Sequence, residues 1–344
     1  MVTLSGKWVW IWNWRRCDGG DAGRVGARLR AAGCAGALVK AFDGAYWFDQ
    51  GTPWREIARG LRENRAATGA WGYLYGRDPE GEARKAVETA QYGGADLLVL
   101  DVESEFKDRP EAAEKVCRLI RQELGPDYPV YFSSFAIARY HRSFPFETFR
   151  RACAGAAPQV YWNAFRWPVG QSLRWTFEDY AALGIPGEQV FPVGGLYQEG
   201  TVRFPPAEEV QEFIRRALSF GAPGVSFWSY EHMSEEMWQA IGAVPVAAGE
   251  AEMSSIEYQQ VSRQLAELAA RVDRLESAAG THTAAPPAEP APQPRTYVVR
   301  AGDTLSGIAA RLGIGDWRRL HAANAGVIGP DPNLIYPGQV LVVP

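Results

Sequence analysis

The densest chemistry in this chain lies in one short run, Gly94-Ala-Asp-Leu-Leu-Val-Leu-Asp-Val-Glu-Ser104. An apolar stretch, Leu97–Leu100, ends in Asp101-Val102-Glu103. On a strand the period of two puts Asp101 and Glu103 on one face, roughly 6–7 Å apart along the chain. Carboxylates that close repel, so one of them keeps its proton toward neutral pH. A protonated acid beside a carboxylate is the equipment of glycosidic bond cleavage. The plainer reading of the same three residues is an acidic strand end neutralised by Lys or Arg.

Other apolar runs also end in polar and aromatic groups. These are Trp12 and Asn13, Lys40 and Asp43, Tyr73 and Tyr75, Tyr131 and Ser133, Tyr161 and Asn163, Tyr197 and Gln198, then Trp228, Tyr230 and Glu231. Their convergence would make a cleft with an apolar wall and a few polar groups. Thirteen tryptophans and fourteen tyrosines supply faces on which sugar rings stack, although core packing claims most of them. The four cysteines (Cys17, Cys34, Cys117, Cys153) form no CxxC and read as buried free thiols. The histidines His141, His232, His282 and His321 give no HxxxH pair, so neither metal nor cofactor is expected. A net charge of −4 argues against an electrostatic nucleic-acid binder.

The elements that must position these groups alternate. Candidate strands are Lys7–Trp14, Gly36–Phe42, Thr68–Tyr75, Ala95–Val102, Pro129–Ser133, Pro158–Trp162, Val190–Gly194 and Gly224–Ser229. Between them fall helical stretches at Gly23–Ala32, Trp54–Ala66, Pro79–Tyr92, Arg109–Leu124, Phe146–Ala154, Thr176–Leu183 and Ala207–Ser219. Eight βα units in some 240 residues predict an α/β fold, a (β/α)8 TIM-type barrel with its chemistry at the carboxyl ends of the strands. A doubly wound open sheet is the alternative, but no Gly-rich loop follows the first strand.

Composition changes along the 344 residues and predicts four parts. Residues 1–247 are the barrel. Residues 248–278 are helical, with a heptad seam of Tyr258, Val261, Leu265, Leu268, Val272 and Leu275. That seam fits homo-oligomerisation through 254–277 or packing of the helix on the barrel. Residues 279–294 are a Pro/Ala-rich tether, and 295–344 a small βααβ module. No run reaches eighteen apolar residues, so no membrane span is expected. The start, Met1 to Trp8, lacks the pattern of a secretory leader. Localisation is therefore left open, the readings being a phage-encoded, virion-associated or otherwise released protein.

The C-terminal run Tyr297-Val-Val-Arg-Ala-Gly-Asp-Thr-Leu-Ser-Gly-Ile-Ala-Ala-Arg-Leu312, the Ala323-Asn324 dipeptide and the ending Asn333-Leu-Ile-Tyr-Pro-Gly-Gln-Val-Leu-Val-Val343 resemble LysM over the whole module. The resemblance implies binding of an N-acetylglucosamine polymer, peptidoglycan or chitin-like. The groove would lie between Gly302, Asp303, Thr304 and Leu305 on one side and Asn333, Leu334 and Ile335 on the other.

The large domain resembles family-25 glycoside hydrolases, the Chalaropsis-type lysozymes. The matching runs are Ala37-Leu-Val-Lys-Ala-Phe-Asp-Gly44, Gly69-Ala-Trp-Gly-Tyr-Leu-Tyr75, Leu98-Val-Leu-Asp-Val-Glu103 and Pro129-Val-Tyr-Phe-Ser-Ser134. By that resemblance Glu103 is the general acid, and Asp101 positions the acetamido group or stabilises the oxocarbenium. That family carries an aspartate at the end of strand 1, where this chain has Trp10-Ile-Trp-Asn13, with Asp18 and Asp21 beyond; its acid near strand 8 is at best Glu231. The D-x-E is also similar to family-18 chitinases, with Val99 where they carry a further aspartate. The reading reached is a cell-wall glycan hydrolase of muramidase or glucosaminidase type, held on its substrate by LysM. The alternative is a non-catalytic peptidoglycan- or chitin-binding protein, or a virion attachment protein with a degenerate barrel.

Overall fold

The computed structural model describes residues 2–246, 296–299, 303–328, 332, 335 and 340–344. The heptad of 254–277 and the tether of 279–294 lie outside the described residues. The described residues belong to two units, taken in turn.

In the first unit the chain runs β1 (Gly6–Ile11), α1 (Ala22–Ala31), β2 (Gly36–Asp43), β3 (Tyr46–Trp47), α2 (Trp54–Glu63), β4 (Ala67–Leu74), α3 (Pro79–Gln91), β5 (Leu97–Val102), α4 (Pro110–Leu124), β6 (Val130–Phe135), α5 (Phe146–Ala152), β7 (Gly155–Val160), α6 (Trp162–Phe165), α7 (Val169–Ala182), β8 (Val193–Gly195), α8 (Ala207–Ser219), β9 (Gly224–Trp228) and α9 (Glu235–Gly242). The sheet order β1-β9-β8-β7-β6-β5-β4-β2, with β1 also pairing β2, closes an eight-stranded parallel barrel. It is the TIM-type architecture expected from the sequence. The two-residue β3 is an antiparallel addition to the end of β2, Asp43 opposite Tyr46.

Strands covered on both faces read as continuous apolar runs, because each face meets its own core. In β5, Leu97 and Val99 turn into the barrel, whereas Leu98, Leu100 and Val102 join the shell under the helices. The helices supply that shell from one stripe each. In α8, Val210, Phe213, Ile214 and Ala217 are buried at the spacing of one helical face, and the intervening glutamates and arginines are not. Burying each large side chain is worth about 1.5–3 kcal/mol. The seam between first and last strands is tight: a Cβ on Gly224 would fall 1.9 Å from the Gly6 carbonyl oxygen. There the buried Lys7 ammonium donates to the carbonyls of Ile241 (2.8 Å) and Val244 (2.7 Å), fastening β1 to the end of α9.

Three elements depart most from expectation. β7 begins at Gly155, three residues before Pro158. Proline is most at home as the first residue of a strand, and here it sits inside one. α7 begins at Val169, capped after Pro168, so the residues before Thr176, expected to be loop, are its first two turns. Helix α9 closes the last βα unit and has no counterpart in the expected elements.

In the second unit Thr296–Val298 pairs antiparallel with Val340–Val342, and helices Leu305–Arg311 and Trp317–Ala323, which fall between them in the chain, share a core of Val299, Leu305, Ile308, Leu320 and Leu341. The buried Asn324 is fully engaged. Its amide donates to Leu320 and Val342 carbonyls (both 2.8 Å) and its oxygen accepts from Val342 N (2.7 Å), locking the second helix to the closing strand. No helix among the described residues is long and apolar enough to cross a membrane.

Candidate active site

The barrel interior is built from inward-facing alternates of its strands. Its lower part is apolar: Leu4, Trp8, Leu38, Leu97 and Phe191. Above them three indoles pack edge to face, Trp10 against Trp71 and Trp71 against Trp228 at 5.4 Å each, with Trp10 and Trp228 at 6.0 Å. Their orientation is fixed by polar edges. Trp10 Nε1 donates to Ser226 Oγ (2.9 Å) and Trp71 Nε1 to the Ile11 carbonyl (3.1 Å).

On this floor stand the carboxylates. The register sets Tyr73, Asp101 and Ser133 side by side on β4, β5 and β6. Asp101 is 7% exposed, and Glu103, just past the end of β5, is half-buried. Gln159 of β7 joins them: its Nε2 donates to Asp101 Oδ1 (3.0 Å), Glu103 Oε1 (2.8 Å) and Ser133 Oγ (3.3 Å). Burial, then the charge of Glu103, pushes the Asp101 carboxyl well above the usual range, against Lys40, Ser133 and Gln159. Burial raises Glu103 too, against the Gln159 bond. The pair therefore holds a proton at a pH where isolated carboxylates hold none. Tyr161, turned toward the same pair, has its hydroxyl raised far above normal by burial and by both negative charges, and its ring meets Tyr197 edge-on at 5.9 Å.

A second group lines the wall formed by β2 and β4. Lys40 is buried, its ammonium 5.1 Å from the Trp71 ring centre, 4.5 Å from that of Phe48, and paired with Asp43 at 3.3 Å. Tyr75 donates to the other Asp43 oxygen (3.0 Å), and Tyr73 donates to Glu105 (2.6 Å). Asn163 lies at the mouth beside Gly195, its amide donating to the Arg203 carbonyl at 3.1 Å.

Three expected cleft residues sit elsewhere or do other work. Tyr131 is the second residue of β6, not its end, and its hydroxyl accepts from Leu4 N (3.2 Å) at the opposite, amino end of the barrel. Tyr230 leaves the barrel axis altogether: its ring packs on Trp238 of α9 and its hydroxyl donates to Asp18 (2.5 Å). Glu231 is at the rim, but its carboxylate accepts from the backbone amides of Trp12 (3.1 Å) and Asn13 (2.8 Å), pinning the turn after β1. Two polar partners went unread in the sequence, Gln159 and Glu105. For Gln159 the signal was present, a polar residue one period before Tyr161 on an otherwise buried strand.

In the second unit a cavity of about 340 Å³ is lined by Asp303, Thr304, Leu305, Ser306, Trp317, Pro332 and Ile335. Thr304 Oγ1 accepts from Gly307 N (3.1 Å) and so caps the first helix. Asp303 is braced by Tyr297 Oη (2.9 Å) and Arg311 (3.0 Å). Trp317 is an addition to the expected set; Gly302, Asn333 and Leu334 lie outside the described residues.

Comparison with known proteins agrees with both halves. Residues 297–344 match the LysM domain family and are a LysM domain. No curated protein sequence matches the chain. Among solved structures, the barrel is similar to active domain 2 of a chitinase from Pyrococcus furiosus (TM-score 0.58, 12% identity, 73% of this chain and 97% of that one). It is also similar to a GH18 chitinase of Flavobacterium johnsoniae (0.54, 9%, 70% and 94%) and to a chitinase from Chromobacterium violaceum (0.53, 12%, 70% and 99%). At these identities the likeness is one of fold.

Proposed function

We propose that the chain is a glycoside hydrolase that cleaves a β-1,4 bond on the reducing side of an N-acetylated amino sugar, in a polymer such as chitin or peptidoglycan to which its LysM domain holds it. The observation that carries this reading is the Asp101–Glu103 pair, joined through one Gln159 amide above an indole floor.

Glu103, the more exposed of the two, donates its proton to the glycosidic oxygen as that bond breaks. The electron pair that replaces it at the anomeric carbon must come from somewhere. Among the described residues no carboxylate stands free across the mouth. Glu231 is spent on backbone amides, Asp43 on Lys40 and Tyr75, Glu105 on Tyr73, and Asp18 on Tyr230 and Arg28. The substrate's own 2-acetamido oxygen fills the role, the substrate-assisted course known for some glycosidases. Asp101 then accepts the acetamido N–H, and the Tyr161 hydroxyl donates to its oxygen side. Water, deprotonated by the Glu103 carboxylate, opens the cyclic intermediate and restores the acid. This course demands the acetamido group. It also favours the chitinase arrangement over that of the family-25 lysozymes, with Val99 as apolar floor where a further aspartate would stand.

One observation favours a purely binding barrel: the Gln159 amide already occupies both carboxylates. Mass spectrometry of soluble products decides between the two. Wild-type protein incubated with chitin and with peptidoglycan should release fragments with new N-acetylglucosamine reducing ends. Glu103→Gln should release at least about a hundredfold less, in line with removal of a general acid, yet cosediment equally. Equal release by the variant refutes the assignment of Glu103. Cosedimentation without products from the wild type makes the barrel a binder.

A further inference from the structure

The flank of the barrel carries a second cavity, of about 620 Å³, that the candidate mechanism does not use. That size is within the roughly 300–1,000 Å³ of small-molecule sites. It lies between the segment after β2 and the end of α3, with Ala41 of β2 on its floor. Its walls are aromatic: Trp47, Phe48, Trp54 and Tyr92, with Asp49 and Gln50 as polar groups among them. Trp47 and Tyr92 stand 47% and 77% exposed among the described residues, two large rings side by side on one surface.

The walls are held in place. Lys85, itself paired with Glu88 (2.5 Å), lies 4.4 Å from the Trp47 ring centre and supports the indole. Trp54 Nε1 donates to the Thr89 carbonyl at 3.2 Å. Gln50 donates to the Lys40 carbonyl and accepts from Trp14 N (2.5 Å), tying the segment to the strand ends. The cavity borders the barrel interior: the Phe48 ring that lines it and Trp71 of the barrel floor lie 4.5 and 5.1 Å from the same buried Lys40 ammonium.

We infer that this groove is a second glycan site on the barrel, taking a neighbouring stretch of the same β-1,4-linked N-acetylhexosamine chain that enters the mouth. The exposed rings of Trp47 and Tyr92 suit the apolar faces of pyranoses, and the exposed Asp49 carboxylate suits their hydroxyl and acetamido N–H edges. Its charged lining, Asp49 and Arg55, balances, as suits a neutral polymer. The inference rests on reading the mouth as a glycan site.

Hydrogen exchange read by mass spectrometry on the full chain tests it, with N-acetylglucosamine hexamer as the probe and Glu103→Gln to prevent cleavage. Protection is expected at 46–55 and 92–93 as well as at the ends of β5 and β7. Adding Trp47→Ala and Tyr92→Ala should abolish the flank protection and weaken binding to insoluble polymer roughly two- to tenfold, while Trp47→Phe retains most of both. Protection at the mouth with none at 46–55 overturns the second site and leaves the proposed function standing. Absence of protection anywhere on the barrel overturns both. Flank protection that persists after both aromatic rings are removed also refutes the site.

Discussion

Gln159 Nε2 carries two hydrogens and has three acceptors within 3.3 Å, and among the described residues it is the donor that the buried Asp101 and the half-buried Glu103 share. Removing it leaves Asp101 and Glu103 facing each other with less to stabilise their charge, and both pKa values move further up. Gln159→Leu should therefore shift the whole pH profile of kcat/KM to higher pH and lower its maximum about 10–100-fold, on the scale of a lost charge-stabilising donor. An unmoved profile would show that the amide does not govern the pair. The same raised values make a stability prediction. A carboxyl whose folded pKa lies above its unfolded one contributes stability at low pH that is lost as pH rises through the folded value. Asp101→Asn removes that loss, so the variant should gain on the order of 1 kcal/mol over wild type at pH 8 and almost nothing at pH 4, read from urea midpoints. A gap that does not narrow toward pH 4 would contradict the sign.

At the scale of elements, the turn after β1 depends on Glu231. Its carboxylate takes the amides of Trp12 and Asn13, two adjacent donors at the rim that its loss would leave to water. Glu231→Ala should cost about 1.5–3 kcal/mol of stability, the range for hydrogen bonds to a charged group, while turnover falls far less than in Glu103→Gln. Loss of cleavage equal to that variant would place Glu231 in the chemistry instead. Strand β5 was easy to read in the sequence, because an unbroken apolar run bounded by two acids fits little besides a buried strand. Strand β7 was hard, because Pro158 resembles a strand start, and a strand begun there gives weight to Tyr161 rather than to Gln159. Tyr131 and Tyr230 misled for a related reason. Alternation identifies which residues share a face, but only the strand's true ends decide which end of the barrel a ring occupies. The rim contacts of Glu231 join residues more than two hundred positions apart, which no local pattern reveals.

For the whole molecule, the pairing of a barrel with a LysM domain predicts division of labour. Deleting residues 295–344 should weaken retention on insoluble polymer by tenfold or more, on the order of the avidity gained by tethering, and leave cleavage of soluble oligosaccharide unchanged. Retention unaffected by the deletion would remove the anchoring role. The closure of the barrel has a consequence of another kind, in time. β1 is complete at Ile11, but its second partner, β9, ends at Trp228, and the carbonyls that receive Lys7 come later still. At synthesis rates of about 5–20 residues per second, the nascent chain spends roughly 10–40 s with two open sheet edges and an ammonium lacking its acceptors. Those edges are templates for pairing with a neighbouring chain, so yield in the cell should be governed by how crowded the emerging chains are, and slowing translation initiation should rescue soluble protein more than lowering the temperature of the finished one.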